Sequence, residues 1–282
     1  MRALPATALL LLTAALGPAL SAADVPAAPA TAAPPAGQGD RLLFSVNGAT
    51  LTGTNGGAGA AASWLHEVNA ASLIGVGAEY QAIANAHWTF GSLTGALTGG
   101  ATPSRRWSLS ADVHEGSGNN GVRPINYSIV IAGFSHALTD ALSLQLEERR
   151  IDVDTAHGSL PKVGLSMLWN RQWLASASYA RSVGGNLGTD EGAVRIDYYR
   201  QTLNLLAGGA VGRAVPIVVG LQGTSLPQLS VLQIRELFVG VARGYSRADW
   251  MLLADYQDVG GTKRVTLSLN CTVHLRAFSQ SR

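Results

Sequence analysis

The chain has 282 residues, of which 47% are hydrophobic and only 13% are charged, and its formal net charge is +2. Soluble domains carry roughly 25% charged residues, so part of the apolar surface of this protein must face something other than water. The near-neutral charge gives no electrostatic footprint for nucleic acid, and we expect no nucleic-acid partner. A single cysteine, Cys271, excludes an internal disulfide.

The N-terminal segment, residues 1–23, is organised like a secretory signal peptide. Arg2 supplies a positive charge, an apolar run covers residues 4–16, and Ser21-Ala22-Ala23 forms a small-residue cleavage site. Residues 24–40 are rich in Ala and Pro and lack periodicity, which predicts an extended periplasmic linker. An uncleaved anchor helix is the alternative, but the apolar run is shorter than the about 20 residues that a membrane-spanning helix needs.

Residues 41–278 alternate apolar and polar side chains with the period of a β-strand. In the segment 142–149, leucines occupy one face and Ser, Gln, Glu and Arg the other, and residues 264–276 continue the same pattern without interruption. A strand that crosses a bilayer needs about 9 to 11 residues, with one face in lipid and the other in the lumen. The pattern predicts an outer-membrane β-barrel over residues 41–278, followed by a C-terminal tail at 279–282.

Tight turns and longer polar links alternate between these segments. Bacterial outer-membrane barrels have short periplasmic turns and long outer loops, so the alternation assigns each rim to one side of the membrane. Tight turns are predicted at Asn69–Ser72, Ala137–Asp140, Asn170–Gln172, Arg200–Thr202 and Ser246–Asp249, and longer links at Gly53–Gly57, Glu115–Pro124, Asp154–Pro161 and Gly184–Gly192.

The alternation predicts an all-β, antiparallel up-and-down barrel of about 14 strands, an even number as such barrels require. Twelve to sixteen strands stay open, because the pattern breaks at Val211–Ile234. Within that break, Pro216–Gly220 reads either as a further strand or as part of an outer loop or an extended hairpin. A secreted β-sandwich, which also has short strands joined by turns, is the structural alternative.

Aromatic residues flank the predicted tight turns, as an interfacial girdle does at the membrane edge. The candidate membrane-interface aromatics are Phe134, Trp169, Trp173, Tyr199, Tyr245 and Trp250.

Acidic and basic residues are mixed on the polar face of the strands. A barrel of about fourteen strands lies between small barrels filled by side chains and open porins, which predicts a narrow or partly plugged lumen. These charges either pair and stabilise the wall, or form a polar track for a neutral or weakly charged solute such as a glycan. The candidate lumen-facing residues are Asp112, His114, Glu147, Arg149, Arg195, Asp197, Asp255, Arg264, Asn270 and His274.

One short segment could suggest catalysis. His114–Asn119 holds a base, a serine and polar neighbours, but its order fits no lipase motif, and glycines flank Ser117. The sequence has no nucleophile elbow, zinc-protease motif, phosphate loop or dinucleotide fingerprint. We therefore predict no catalytic residue, no metal site and no cofactor.

Three C-terminal segments resemble the hairpins of YaiO-type outer-membrane barrels: Tyr199–Arg213 (YRQTLNLLAGGAVGR), Gly240–Trp250 (GVARGYSRADW) and Arg264–Leu269 (RVTLSL). The resemblance implies a location in the cell outer membrane and a link to surface polysaccharide secretion, and it brings no catalytic residues. One feature departs from the pattern, because such barrels usually finish on an aromatic residue, whereas Phe278 is followed here by Ser279–Arg282.

These observations together predict a non-enzymatic barrel surrounded by outer-membrane lipid. The leading function is a narrow conduit or accessory component for surface polysaccharide export, with a glycan or secretion-system proteins as partners. A closed structural or partner-binding barrel is the alternative, and a lipid-modifying enzyme is the weakest of the three.

Overall fold

The computed structural model describes residues 39–52, 56–83, 86–100, 102, 106–119, 124–153, 156–214, 232–245 and 247–275. The predicted signal peptide, all but the end of the linker, Pro216–Gly220 and the C-terminal tail lie outside these residues. No helix in the described part of the chain is long and apolar enough to span a membrane.

Fourteen antiparallel strands close into one barrel, and each strand pairs with its neighbours in the sequence. Closure satisfies every strand edge, because β1 pairs with β14 from Arg41 opposite His274 to Leu51 opposite Arg264. The predicted transmembrane barrel of about fourteen strands is confirmed, and the β-sandwich is excluded. The strands are β1 (Arg41–Leu51), β2 (Gly57–Asn69), β3 (Ser72–Ile83), β4 (Ala86–Gly99), β5 (Trp107–Asn119), β6 (Pro124–Ala137), β7 (Leu142–Val153), β8 (Ala156–Trp169), β9 (Trp173–Arg181), β10 (Asp190–Arg200), β11 (Leu203–Ala214), β12 (Leu232–Gly244), β13 (Ala248–Val259) and β14 (Thr262–His274).

Both ends of the barrel lie at one rim, which we call the terminal rim, and the opposite rim is the distal rim. All five predicted tight turns connect strands at the terminal rim. Local chemistry explains two of them. The backbone N–H of Ala71 donates to Asn69 Oδ1 over 2.8 Å, and Asn170 and Arg171 adopt positive φ angles of 51° and 53°. Asn tolerates this left-handed conformation, which matches the twist of the flanking strands in a tight hairpin.

The predicted contrast between short and long connections holds only in part. The link predicted at Asp154–Pro161 is wrong, because β8 begins at Ala156, and the link predicted from Glu115 is shorter than expected, because β5 continues to Asn119. Three connections at the distal rim span only two residues each, and the one at 260–261 consists of Gly260 and Gly261 with φ of 57° and 91°. The interrupted segment 211–234 contributes the ends of β11 and β12.

An apolar belt surrounds the barrel on its outer face. Its side chains are exposed in the isolated chain, which is the arrangement that lipid requires. On the β5–β8 wall the belt covers only the strand halves nearer the terminal rim. Members of the belt include Val46, Leu109, Val130, Leu146, Leu165, Val194, Leu252 and Leu269.

The apolar face changes sides along several strands of this wall. In β7, Leu144 and Leu146 point outward, whereas Ile151 and Val153 are buried inside the barrel. The pairing of β7 with β6 and β8 runs without a register shift, so the change lies in the sequence and not in a bulge. The distal half of this wall is therefore polar outside and apolar inside, like a barrel in water.

A charge placed within the belt should destabilise the barrel, whereas the same charge on the distal outer surface should not. Leu269 lies in the belt between Val46 and Leu252, and Ser117 lies on the outer face of the distal half of β5. We expect Leu269→Arg to cost about 2 to 4 kcal/mol of unfolding free energy in lipid vesicles, as Arg does near a bilayer midplane. Ser117→Arg should change it by less than about 0.5 kcal/mol. Urea titration of both variants measures this difference, and equal costs would contradict the position of the belt.

Candidate functional site

The interior of the barrel contains an apolar core at its distal end. Residues from opposite walls belong to this one packed cluster, so side chains fill the distal lumen. Trp88, Phe90 and Tyr127 form its aromatic part, with an edge-to-face contact of 4.9 Å between the ring centres of Phe90 and Tyr127. The distal core consists of Leu51, Ala86, Trp88, Phe90, Ile125, Tyr127, Ile151, Val153, Ala156, Leu160, Ala180, Leu187, Ile234 and Val259.

One member of the distal core comes from a loop. Leu187 lies between β9 and β10 and is 0% exposed, because its side chain packs into the distal core. The loop is held to β8 by main-chain hydrogen bonds, including Val183 N–H to Ser159 O at 2.8 Å and Asn186 N–H to His157 O at 2.9 Å.

A glycine lets this loop approach the wall. A Cβ atom at Gly158 would lie 2.8 Å from the carbonyl oxygen of Gly184 and 3.1 Å from the side chain of Leu187. Glycine at this position of β8 therefore makes room for the loop that carries Leu187 into the core.

Below the distal core, the inner surface of the barrel combines polar and charged side chains with two smaller apolar clusters. One cluster is Leu206, Phe238, Ala242, Met251 and Leu253, and the other is Leu43, Leu65 and Leu73. Arg195 donates to both carboxylate oxygens of Asp197, from Nε at 2.6 Å and from Nη2 at 2.5 Å. Arg149 Nε donates to Glu147 at 2.7 Å, and Lys162 Nζ lies 3.8 Å from the same carboxylate. The Arg195–Asp197 and Arg149–Glu147 pairs each lie on one strand, and Lys162 joins β8 to β7, so these contacts stabilise the wall.

Acidic side chains outnumber basic ones on this inner surface. Among the described residues, nine carboxylates and five Arg or Lys side chains point inward, a formal charge of −4 with His neutral. From the sequence this face is mixed in sign, and the excess of acid comes from residues that the sequence did not single out. These are the acids Glu67, Glu79, Glu191, Glu236 and Asp249, against the cations Arg41 and Lys162.

One ion pair and one contact between a histidine and a carboxylate lie inside the barrel at the terminal rim, and both join strands around the point of closure. Arg41 donates to Glu67 across the β1–β2 pair, and His274 Nε2 lies 2.8 Å from Asp249 Oδ2 across the β13–β14 pair. They lie close to the seam between β1 and β14, where the first and last strands of the barrel meet.

The structure turns all ten predicted lumen residues toward the inside of the barrel. Seven are buried outright, and Glu147, Arg149 and His274 are half-buried. It brings several of them together, including the pairs Arg195–Asp197 and Glu147–Arg149, and Arg264 interacts electrostatically with Asp255. Asp112 instead accepts a hydrogen bond from Thr94 at 2.7 Å, and His274 lies next to Asp249.

The predicted interface aromatics need one correction, at Tyr199. This residue shares the inner face of β10 with Arg195 and Asp197, and its hydroxyl is buried. Its neighbour Tyr198 points outward and contacts Trp173, with ring centres 4.7 Å apart. The two tyrosines are adjacent, so they point to opposite faces of β10. Because Asp197 points inward, Tyr198 points outward and Tyr199 points inward. The other candidates, Phe134, Trp169, Trp173, Tyr245 and Trp250, lie on the outer face or at the terminal rim, and Trp169 stacks on Trp173 with ring centres 6.1 Å apart.

The suggestive segment at His114 does not form a catalytic arrangement. His114 is buried inside the barrel, whereas Ser117 is exposed on the outer face of the same strand. A base and a nucleophile on opposite faces of a sheet cannot form a hydrogen bond. In the described part of the chain, no group of three or more His, Cys, Asp or Glu residues is placed to hold a metal ion.

Several interior residues were missed from the sequence. The aromatic residues of the distal core follow the same alternation as the belt but in the opposite phase, so they look like lipid-facing residues. A change of phase within one strand, as between Leu146 and Ile151 in β7, is the signal that could have identified them. The missed polar residues are Arg41, Glu67, Glu79, Gln81, Lys162, Glu191, Asp249, Glu236 and Gln257.

The chain matches no known family model and no curated protein. Its fold is similar to the monoaromatic hydrocarbon channel CymD, with a TM-score of 0.61, 10% identity and coverage of 85% of this chain and 89% of CymD. The toluene transporter TodX of Pseudomonas putida matches with a TM-score of 0.57, 11% identity and coverage of 84% and 90%. A bacterial polysaccharide outer membrane secretin matches with a TM-score of 0.55, 10% identity and coverage of 85% and 99%. These likenesses show that the chain has the fold of outer-membrane channel barrels.

Breaking the most buried ion pair should be costly, whereas replacing both partners should not. Arg195 and Asp197 are 3% and 1% exposed. We expect Arg195→Met to cost about 3 to 5 kcal/mol of unfolding free energy, because Asp197 would be left charged and buried. The double change Arg195→Met with Asp197→Leu should recover most of that loss. Arg200→Met, at an exposed position of the same strand, is the control. Urea unfolding in vesicles gives all three values, and a double variant no more stable than Arg195→Met would refute the pairing.

Proposed function

We propose that the protein is an outer-membrane barrel that acts as a narrow conduit or accessory component in the export of a surface polysaccharide. The apolar belt, the signal-like N-terminus and the fold of outer-membrane channels support the location. The resemblance of the C-terminal hairpins to YaiO-type barrels and the fold likeness to a polysaccharide secretin support the link to glycans. The terminal rim, which holds both ends of the barrel, then faces the periplasm and the distal rim faces outward.

The observation that carries this proposal is the polar part of the inner surface beneath the distal core, on the β7–β10 side of the lumen. Glu147, Lys162, Ser178 and Glu191 are only half-buried there, so part of this surface stays accessible to a solute. Hydroxyl and carboxylate groups of this kind are the usual hydrogen-bonding partners of a polar ligand. A glycan offers many hydroxyls and no apolar chain, and it fits such a lining.

The charge of the inner surface narrows the class of solute that the conduit could carry. An acidic excess on the inner surface attracts cations and repels anions within a narrow polar passage. The conduit therefore suits a neutral glycan or one with positive charge, and it disfavours a polyanion.

Transport requires the distal core to open, and the loop that carries Leu187 is its most movable part. Every other core residue lies on a strand that is hydrogen-bonded on both sides, whereas Leu187 lies in an eight-residue connection between β9 and β10. A short connection at the end of a sheet opens at lower free energy than strands paired along their length, although this loop bonds to His157 and Ser159. The described conformation is then the resting, closed state.

A closed structural or partner-binding barrel is the second candidate. The distal core favours it, because the packed aromatic rings and aliphatic side chains from opposite walls exclude water as in the interior of a soluble protein. In that case the core stabilises the wall permanently and no solute passes.

A polar residue at the centre of the core should open the conduit. We expect Leu187→Asn to give single-channel steps in planar bilayers where the unaltered protein conducts rarely, with cations carrying more current than anions in a salt gradient. Val183→Asn, in the same loop but at a side chain that is already 61% exposed, should behave as the unaltered protein does.

The outcomes of this measurement separate the two candidates. Conductance steps in Leu187→Asn, absent in Val183→Asn, support a gated conduit. If both variants remain folded, as shown by their different migration before and after boiling, and neither conducts, the barrel is closed and the conduit is rejected. Anion-selective steps would overturn the inferred class of solute.

A further inference from the structure

Cationic side chains cluster on the outer face of one wall of the barrel, at the distal edge of the apolar belt. The cluster consists of Arg181, Arg213, Arg235 and Lys263, all exposed. They come from four strands, β9, β11, β12 and β14.

Strand register fixes the height of this cluster relative to the belt. Arg235 lies one outward position above Leu237 on β12, and Lys263 lies one outward position above Val265 on β14. Leu237 and Val265 belong to the belt. The cations therefore begin where the apolar surface ends, which is the level of lipid headgroups for a barrel in a bilayer.

The opposite wall has the other sign of charge at the same level. Glu115, Glu148 and Asp152 point outward from β5 and β7, with Arg150 as the one outward Arg or Lys among the described residues of those strands. The cationic wall also carries two outward acids, Asp190 beside the hollow and Asp258 between Arg235 and Lys263. Its four cations still leave a formal charge of +2, against −2 for the four charged side chains of the opposite wall.

A hollow of about 470 Å³ lies within the cationic face, between β10, β11 and β12. Arg213 and Arg235 stand beside it, and Gly192 leaves open space at its floor, where a Cβ atom would meet nothing within 4 Å. Val211, 64% exposed, adds an apolar side. The hollow thus combines cations with an apolar flank. These two features complement an anionic lipid, whose headgroup is negatively charged and whose chains are apolar.

The side chain of Arg213 is only loosely engaged. Its Nη2 atom lies 3.5 Å from Asp190 Oδ2, and the side chain is 62% exposed. The carboxylate of Asp190 also interacts with the hydroxyl of Tyr179. Arg213 can therefore turn toward an anion while Asp190 keeps a partner, and a guanidinium can bind two phosphate oxygens at once.

We propose that this face binds the phosphorylated headgroup of a glycolipid in the outer leaflet, with Arg213 and Arg235 on its phosphate and the sugar over Gly192. Charge complementarity identifies the occupant, because the headgroup must be anionic and lie at the edge of the belt. The inference rests on the outer-membrane location within the proposed function, but it does not depend on transport through the lumen.

Binding can be measured by native mass spectrometry of the folded protein in detergent. The probes are lipid A with two phosphates, the same lipid without phosphate, phosphatidylglycerol and inorganic phosphate. We expect lipid A with two phosphates to bind at least about tenfold more tightly than phosphatidylglycerol or the dephosphorylated lipid. Its two phosphates can accept more charge-assisted hydrogen bonds from the arginines than one phosphodiester can, and such bonds are the strong ones. Arg213→Gln with Arg235→Gln should remove that preference, and Gly192→Leu should weaken binding by filling the hollow.

Arg171→Gln with Arg200→Gln is the matched control, because both arginines are exposed at the terminal rim, away from the hollow. Equal binding of lipid A by the Arg213/Arg235 variant and by this control would overturn the site. Tight binding of inorganic phosphate alone would also overturn it, since the ligand would then be a free anion. All variants should keep the conductance of the unaltered protein, so a loss of lipid binding and a failure of the conduit are distinguishable.

Discussion

The barrel wall is one continuous hydrogen-bonded sheet that borders lipid over part of its height and water over the rest, and this constraint organises the molecule. Backbone pairing cannot change between the two regions without exposing polar groups, so the side chains must change instead. On the β5–β8 wall the apolar face moves from outside to inside, as β7 shows between Leu146 and Ile151. The same change produces the belt, the polar outer surface of the distal half, and the distal core.

Local signals were enough for the fold. Period-two alternation identifies strands because successive side chains point to opposite faces, and the turns at the terminal rim carry residues such as Asn170 that favour their backbone conformation. The number of strands followed from these signals together, since an even count returns the chain to the rim where it began. The segment 211–234 looked irregular because the ends of β11 and β12 flank a long connection, yet both strands keep their alternation up to it.

The interior was harder to predict, for a physical reason. Alternation shows that the two faces of a strand differ in polarity. It does not show which face is inside, because in lipid the apolar face points outward and in water it points inward. A change between the two within one strand therefore reverses the assignment of the inner face. Trp88 and Phe90 therefore resemble belt residues in sequence, although the structure buries them. Likewise, Tyr199 and Tyr198 are equivalent until the inward direction of Asp197 is known. The pairing of Glu147 with Lys162 depends on the register of β7 against β8, which no local pattern contains.

If the barrel is the conduit proposed above, the order of its interior layers decides where opening begins. Buried ion pairs such as Arg195–Asp197 lie within the wall itself, so opening of the distal core leaves them in place. The distal core has the opposite character, because its stability comes from contact between opposite walls and is lost when they are separated. Cooperative packing makes partial opening costly, and a single loop that supplies one side chain to the centre is the least costly place to begin. The loop also completes the wall, because β8 pairs with β9 only from Lys162 onward and the loop supplies main-chain partners to His157 and Ser159. Moving this loop therefore separates the distal end of β8 from its neighbour as well as removing Leu187 from the core.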